Sequence, residues 1–592
     1  MRFLIGLFLI AYTTVTAQTN TYDISFEDAE HHEAVVKAKF PKIKDRSITV
    51  RMSRTSPGRY ALHEFAKNVY GFKATNGKGE KLAVTRPDPY SWYIEGHDGT
   101  INIEYTLFAN RADGTYSQVD ETHAHLNIPA TFIFAEGYEH RPVQVKFDVR
   151  KDLNWKVATQ LKEEEGENVF SAPDLYYFMD SPVEVSNHEI RPFKIDGQTV
   201  KFVLHHDGSK EDFDIYFEQV KHIVEQEKAV FGELPKYDYG EYKFLACYLP
   251  NVSGDGMEHR NSTILTDTEG LAEGGMKGNI GTVSHEFFHC WNVERIRPDG
   301  LEPFDFKKAN MSGALWFAEG FTSYYTGLIL VRAGIIEPKE YLEGVQRTFN
   351  YVWNSPARQY FNPIEMSYQA PFVDAATSVD PVNRDNTFIS YYSYGSILGL
   401  ALDLSLREKD LNLDDFMKLV WNTFGKSEVA YNVADLEKTL TAYAGKEFAQ
   451  NFFSKYIHDS QMPNYKDLFK SVGIALSRPD KIPSLGAVLA EDGGDLKVSR
   501  NPVKGSAAYA AKLRAGDIVT KVNDSVVNSE LALKRNLAHV IVGDSATVAY
   551  KRDGSQMTTK LKLQGETEYT IGFDPEANRK ALLNLREWLK AR

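Results

Sequence analysis

The chain has 592 residues, 42% of them hydrophobic, and a formal net charge of −13. That length and apolar content call for several domains, each with its own core. The acidic balance, without a basic cluster, argues against a nucleic-acid partner and against anionic membrane surfaces.

In chain order, Arg2, the apolar run Phe3 to Tyr12 and the small-residue step Val15-Thr16-Ala17 read as a signal peptide over residues 1–17. The run is too short to anchor in a bilayer, and no later segment reaches transmembrane length. A secreted or periplasmic protein with no integral membrane segment after cleavage is therefore expected. Residues 18–155 alternate apolar and polar positions in short runs such as Ser47 to Met52 and Ile101 to Tyr105, the pattern of a β-sandwich. Residues 156 to about 275 continue with strands, among them Tyr242 to Tyr248. From about residue 277 the period becomes helical, with amphipathic stretches at Tyr341 to Asn354, Tyr392 to Arg407, Leu413 to Thr423 and Ala434 to Tyr443. This second region, 156–475, is followed by a separate unit at 480–570 and an amphipathic tail helix at 575–592. Cys247 and Cys290 are too few for a disulfide framework. Two buried free thiols are expected, with a single bridge as the alternative in an oxidising compartment.

The most informative segment is HEFFH, His285 to His289. Positions i and i+4 share one helix face, so His285 and His289 can hold one metal ion, with Glu286 beside them to take a proton from water at that ion. Zinc is the implied metal, because open-site zinc chemistry needs imidazole ligands, a carboxylate base and one coordination position left open. The third ligand is read as Glu319, in a nearly all-apolar helix expected to start near Ser312 and to end before Gly334. A lone acid there is costly unless it is paired or metal-bound; an ion pair with an arginine of Arg295 to Pro298 is the structural alternative. Thr322, one turn on, is positioned to orient a ligand. His31, His32, His123, His125 and His259 lack ligand spacing and read as ordinary surface or core histidines. Cys290 points about 100° away from His289 around the helix and is not expected to bind the metal.

HEFFHCWNVERIRP followed by LWFAEGFTSYY resembles the glycyl aminopeptidase family of gluzincin zinc metallopeptidases, relatives of aminopeptidase N and thermolysin. Three further segments carry the likeness in the same order: Asp180 to Glu184, Gly254 to Ser262 and Tyr391 to Gly395. The resemblance runs from about residue 20 to about 570, and Tyr394 departs from it by standing where the family commonly has lysine. It implies a multidomain α+β architecture: an N-terminal β-sandwich, a thermolysin-like zinc catalytic domain with an α-helical half, and a C-terminal PDZ-like domain. The last rests on Gly505 to Val519 and Lys521 to Asp524, with Ser484-Leu485-Gly486-Ala487 as the carboxylate-binding loop. PDZ modules bind a chain end by strand addition; a packing domain without a peptide ligand is the alternative.

The resemblance also implies roles. Gly256, Met257 and Glu258 would form the substrate-binding strand beside the zinc, with Glu258 reading the free α-ammonium and Glu184 assisting, whereas an ion pair with Arg260 is the structural alternative for Glu258. Tyr392 would donate to the oxyanion, with Tyr391 in reserve and an aromatic packing cluster as the structural alternative. The expected function is zinc-dependent removal of small N-terminal residues, glycine or alanine, from peptides. The alternatives are an endopeptidase whose PDZ domain recruits substrate, and a non-catalytic peptide-binding protein.

Overall fold

A computed structural model describes residues 18–373 and 380–592. The expected signal peptide lies outside the described residues. No helix among them is long and apolar enough to cross a membrane.

The N-terminal unit is a β-sandwich. Its larger sheet has seven strands in the order 162–163, 169–172, 143–148, 20–28, 33–40, 101–108, 69–76. The smaller sheet is built from 134–135, 47–51, 91–95 and 83–85. The apolar members of each alternating run, such as Ile24, Val36, Val50, Trp92 and Tyr105, meet in one core. This unit does not stop at 155, where the composition suggested a boundary. Phe170, Leu175, Phe178, Val183 and Val185 belong to the same core, and the strand Val183–Ser186 pairs with His123–Leu126. The first core therefore runs to about residue 186, because the later strands complete its sheets.

The second unit opens with a mixed five-stranded sheet, ordered 189–195, 198–206, 241–248, 262–267, 255–259. The long helix Lys210–Phe231 starts on Ser209, whose side chain accepts from the Asp212 amide, and stops at Gly232 with φ 88°. Its buried face (Phe213, Tyr216, Phe217, Val220, Val224) shares a core with the sheet and with the helices that follow. The strand Asp255–His259 forms the sheet's edge and runs antiparallel to Ser262–Asp267, so one of its sides is open to the cleft described below.

Two helices carry the second half of that cleft. Leu315–Arg332 is buried on nearly every side, as a helix apolar around most of its surface must be. Ser312, expected near its start, accepts from the Ala314 amide just ahead of the first turn. Leu315–Arg332 crosses the helix Tyr391–Arg407 at a pair of glycines. A β-carbon on Gly320 would lie 2.3 Å from the Gly395 Cα, and one on Gly395 would lie 1.9 Å from the Trp316 carbonyl oxygen. The glycine of the Tyr391 to Gly395 motif is thus required for backbone-to-backbone contact.

Residues 485–563 build a separate core around Leu496, Val498, Val519, Val548 and Leu561. Two short pairings, 474–477 with 570–573 and 483–484 with 564–565, tie this PDZ unit to the helices below it. The tail helix Arg579–Leu589 returns to the second unit. Trp588 is fully buried there and donates from Nε1 to the Tyr324 hydroxyl at 2.9 Å, while Arg332 holds the Trp588 carbonyl.

Gly395→Ala should lower the thermal unfolding midpoint, since overpacking a rigid crossing costs about 1–3 kcal/mol. Gly572→Ala, where a β-carbon meets open space, should not. Equal midpoints for the two variants would contradict the crossing.

Candidate metal and peptide site

The motif helix Ile280–Phe288 buries Ile280, Val283, Phe287 and Phe288 in the core. The same spacing turns Gly281, Thr282, His285 and Glu286 toward a cleft of about 380 Å³. Gly58, Arg59, Asp255, Gly256, Glu258, His289, Glu319 and Tyr392 complete its walls. His285, His289, Glu319, Glu286, Gly256, Glu258 and Tyr392 are therefore brought together. Met257, Thr322 and Glu184 are not among the lining residues.

His285 Nε2 and His289 Nε2 stand 3.1 Å apart, and Glu319 Oε2 lies 3.6 and 3.3 Å from them. The hydrogen bonds behind the rings fix what these nitrogens carry. His289 Nδ1 is 2.6 Å from the Asn292 carbonyl, which can only accept, so Nδ1 holds the proton. His285 Nδ1 is 3.2 Å from the Thr326 hydroxyl, whose own proton goes to the Thr322 carbonyl at 2.9 Å. That hydroxyl therefore accepts, and His285 Nδ1 donates. Both Nε2 atoms consequently present lone pairs to one point. Glu319 Oε2 faces the same point and, although buried, receives no hydrogen bond among the described residues; Glu286 Oε2, buried nearby, also has none. Electron pairs that converge in this way fit a divalent cation and fit little else.

Taken by itself, the cluster shares a proton where a metal would sit. Burial works to raise the Glu319 carboxyl, but His289 and His285 hold it well below the usual carboxylate range. Against its own burial, His289 is in turn pushed well above its ordinary value by Glu319 and Glu258; a divalent cation bound there would displace that proton. Burial, then the charges of Glu319 and Glu294, push Glu258 up to about 7 against the pull of His289. Glu286 is raised well above its ordinary value, first by burial and then by Glu258 and Glu319. Glu258 and Glu286, buried beside the ionised Glu319, are raised as like charges in one cleft must be.

The N-terminal unit supplies the cleft's roof, a loop marked in the sequence only by a turn-like Ser56-Pro57-Gly58. Tyr60 donates its hydroxyl to Glu319 Oε1, and Arg59 forms an ion pair with Asp255 on the edge strand. Gly58, with φ +79°, lies directly on that strand: a β-carbon would meet the Met257 sulfur at 2.1 Å and Glu258 Oε2 at 3.0 Å. Met257, expected to bind substrate, is covered by this loop and 1% exposed. Gly256 does border the cleft, where a β-carbon would sit 2.2 Å from Glu286 Oε1.

Other expectations are corrected. Glu184 does not reach the cleft. Its strand pairs directly with the strand of His125, which turns the carboxylate toward buried histidines. Thr322 does not touch a metal-facing histidine. Its hydroxyl donates to the Ala318 carbonyl and accepts from the Asn292 amide, and the residue that meets His285 is Thr326, one turn further on. The arginine partners considered for the two acids lie elsewhere. Arg295 binds backbone carbonyls and Asn261, Arg297 meets Glu294 and Glu302, and Arg260 pairs with Asp238 and Glu428. Tyr392 stacks near His285, with ring centroids 5.9 Å apart, whereas Tyr391 is buried against Tyr60. Cys247 and Cys290 are both buried free thiols.

Residues 21–187 match the family model described as the peptidase M61 N-terminal domain, residues 278–398 match the M61 glycyl aminopeptidase model, and 479–563 match a PDZ domain. The chain carries the two M61 peptidase domains and a PDZ domain. The second M61 match contains His285, Glu286, His289, Glu319 and Tyr392, whereas Glu258 falls between the two. The M61 chain has the fold of an aminopeptidase N family protein from Idiomarina loihiensis, with TM-score 0.84 and 23% identity over 97% of this chain and 100% of that one. It is also 31% identical over 104 residues to the Do-like HtrA serine proteases of Lactococcus lactis subsp. cremoris and subsp. lactis, a stretch covering 16% of this chain and 26% of each relative. The M61 chain thus spans about a quarter of the length of those curated relatives.

Glu319→Ala should cost this site its metal, since one of its three facing donors is gone. Zinc titrations of wild type and variant in competition with a chromogenic chelator check this. Unchanged affinity in the variant would exclude Glu319 as a ligand.

Proposed function

We propose that this M61 chain is a zinc-dependent aminopeptidase that removes small N-terminal residues, glycine or alanine, from peptides. The observation that carries the reading is the convergence of two imidazole lone pairs and a carboxylate oxygen within 3.1–3.6 Å, with Glu286 on the same cleft wall. Zinc held by His285, His289 and Glu319 would supply a Lewis acid and a water of lowered pKa. Glu286 would serve as the base that takes a proton from the attacking water and as the acid that returns it to the leaving amine. A neighbouring β-carbon would displace its carboxylate, so Gly256 keeps the base in place. The Tyr392 hydroxyl donates to the developing oxyanion. Glu258 pairs with the substrate's α-ammonium: a buried carboxylate left without that partner discriminates strongly against a blocked terminus. What supports this role is that Glu258 lines the cleft beside Gly58 and Glu286.

The PDZ unit is read as a site for a peptide C-terminus. Its strand Leu489–Asp492 ends the sheet, which leaves an edge for strand addition. A secreted or periplasmic location goes with this reading.

Two outcomes decide it. Glu286→Gln should keep its zinc and lose most turnover, and an active Glu286→Gln enzyme would overturn the mechanism. Acetylating a good substrate should abolish cleavage, whereas equal rates on free and blocked peptides would make the protein a PDZ-assisted endopeptidase.

Tyr392→Phe should lower kcat by roughly 10² to 10³, the usual loss of about 3 to 4 kcal/mol for one oxyanion donor, with zinc content unchanged. A rate within a few-fold of wild type would refute the role, and a large loss in Tyr391→Phe instead would move it by one residue.

A further inference from the structure

A second group of metal-ligating side chains lies at the seam between the β-sandwich and the five-stranded sheet. His123, Glu184, His205 and Cys247 are all buried, and each offers one donor atom to a common point. His123 Nδ1 is 3.4 Å from Glu184 Oε1, and His205 Nδ1 is 3.5 Å from the same oxygen. Cys247 Sγ is 3.4 Å from His123 Nδ1 and 3.7 Å from His205 Nδ1. Zinc bonds of about 2.0 to 2.3 Å set tetrahedral ligand-to-ligand edges of about 3.3 to 3.8 Å, and these four separations fall within that range. Glu184 Oε1 receives no hydrogen bond among the described residues, although the side chain is 1% exposed.

We propose that His123, Glu184, His205 and Cys247 form a second, structural zinc site that clips the N-terminal sandwich to the catalytic sheet. One of the donors, Glu184, is held from behind as such sites require. His125 Nδ1 is 3.3 Å from Glu184 Oε2, while its Nε2 is 2.9 Å from the Asp113 carbonyl; the carboxylate is thereby turned so that Oε1 faces the cluster. The Asp120 carboxylate stands 3.9 Å from His123 Nε2, on the far side of that ring. All four positions are filled by protein, and none of these residues lines the peptide cleft, so the site is closed and suited to holding structure. One divalent cation balances the Glu184 carboxylate and a Cys247 thiolate. That makes the group neutral in a place where an uncompensated charge would be costly. The ligands come from two strands of the first unit, His123–Leu126 and Val183–Ser186, and two of the second, Gln198–His206 and Glu241–Tyr248. Zinc binding here is therefore coupled to docking of the two units.

The test is metal loading of the full chain. Zinc-saturated, desalted wild type should hold about two zinc ions per chain, and Cys247→Ser and Glu319→Ala about one each. The cobalt(II)-loaded wild type should show a near-ultraviolet thiolate-to-cobalt band, because only this site offers a sulfur ligand. That band should persist in Glu319→Ala and in Cys290→Ser and vanish in Cys247→Ser. One zinc per wild-type chain, no thiolate band, or a band that follows Cys290 would each overturn the proposal. The wild-type stoichiometry and band decide the matter even where a variant fails to fold.

Discussion

Three electron pairs aimed at one point are repulsive until a cation occupies it, and much of the second unit is arranged around that constraint. The Asn292 carbonyl and the Thr326 hydroxyl each take a proton from the rear of a ring, leaving the two Nε2 lone pairs facing 3.1 Å apart. Glu319 reaches the same point only because its helix passes Tyr391–Arg407 in backbone contact, and any side chain at Gly320 or Gly395 would force the helices apart. Tyr392 rides on the second helix of that crossing, so one packing contact sets both a metal-facing carboxylate and the tyrosine beside His285.

The β-sandwich is part of this arrangement and not an appendage to it. Its loop Pro57 to Tyr60 places a hydroxyl on Glu319 and a guanidinium on Asp255, and Gly58 closes over Met257 and Glu258. The first unit thus forms part of the cleft wall beside the edge strand. Gly58 packs directly on the edge strand, so a tie between the sheets through His123, Glu184, His205 and Cys247 would also hold this contact.

Much of the site was legible in the sequence because helical spacing is short-range: His285, Glu286 and His289 are set by a single turn. Glu319 was legible because an acid in an apolar helix demands a partner. The tail helix and the PDZ unit could be read from periodicity and a local motif. What could not be read depended on contacts distant in sequence. The sandwich continues to residue 186 because late strands pair with early ones. Tyr60 and Arg59 sit 259 and 196 residues from their partners. Thr326, not Thr322, meets His285, a difference of one turn decided by how two helices are rotated against each other. His123 and His125 lack the ligand spacing that marks His285 and His289 on their helix. On a strand, positions i and i+2 share a face, and that period-two reading would have drawn attention to the pair, though not to Glu184, whose company depends on strand register.

The proposed peptidase rests on a divalent cation between His285, His289 and Glu319. The most direct test is turnover of a panel of amino-acid arylamides by the purified protein before chelator, after chelator and dialysis, and after zinc is returned in stoichiometric steps. Preferred release of glycyl and alanyl arylamides is expected, lost on chelation and recovered as zinc refills the site. Cleavage that survives complete removal of metal would contradict the proposal.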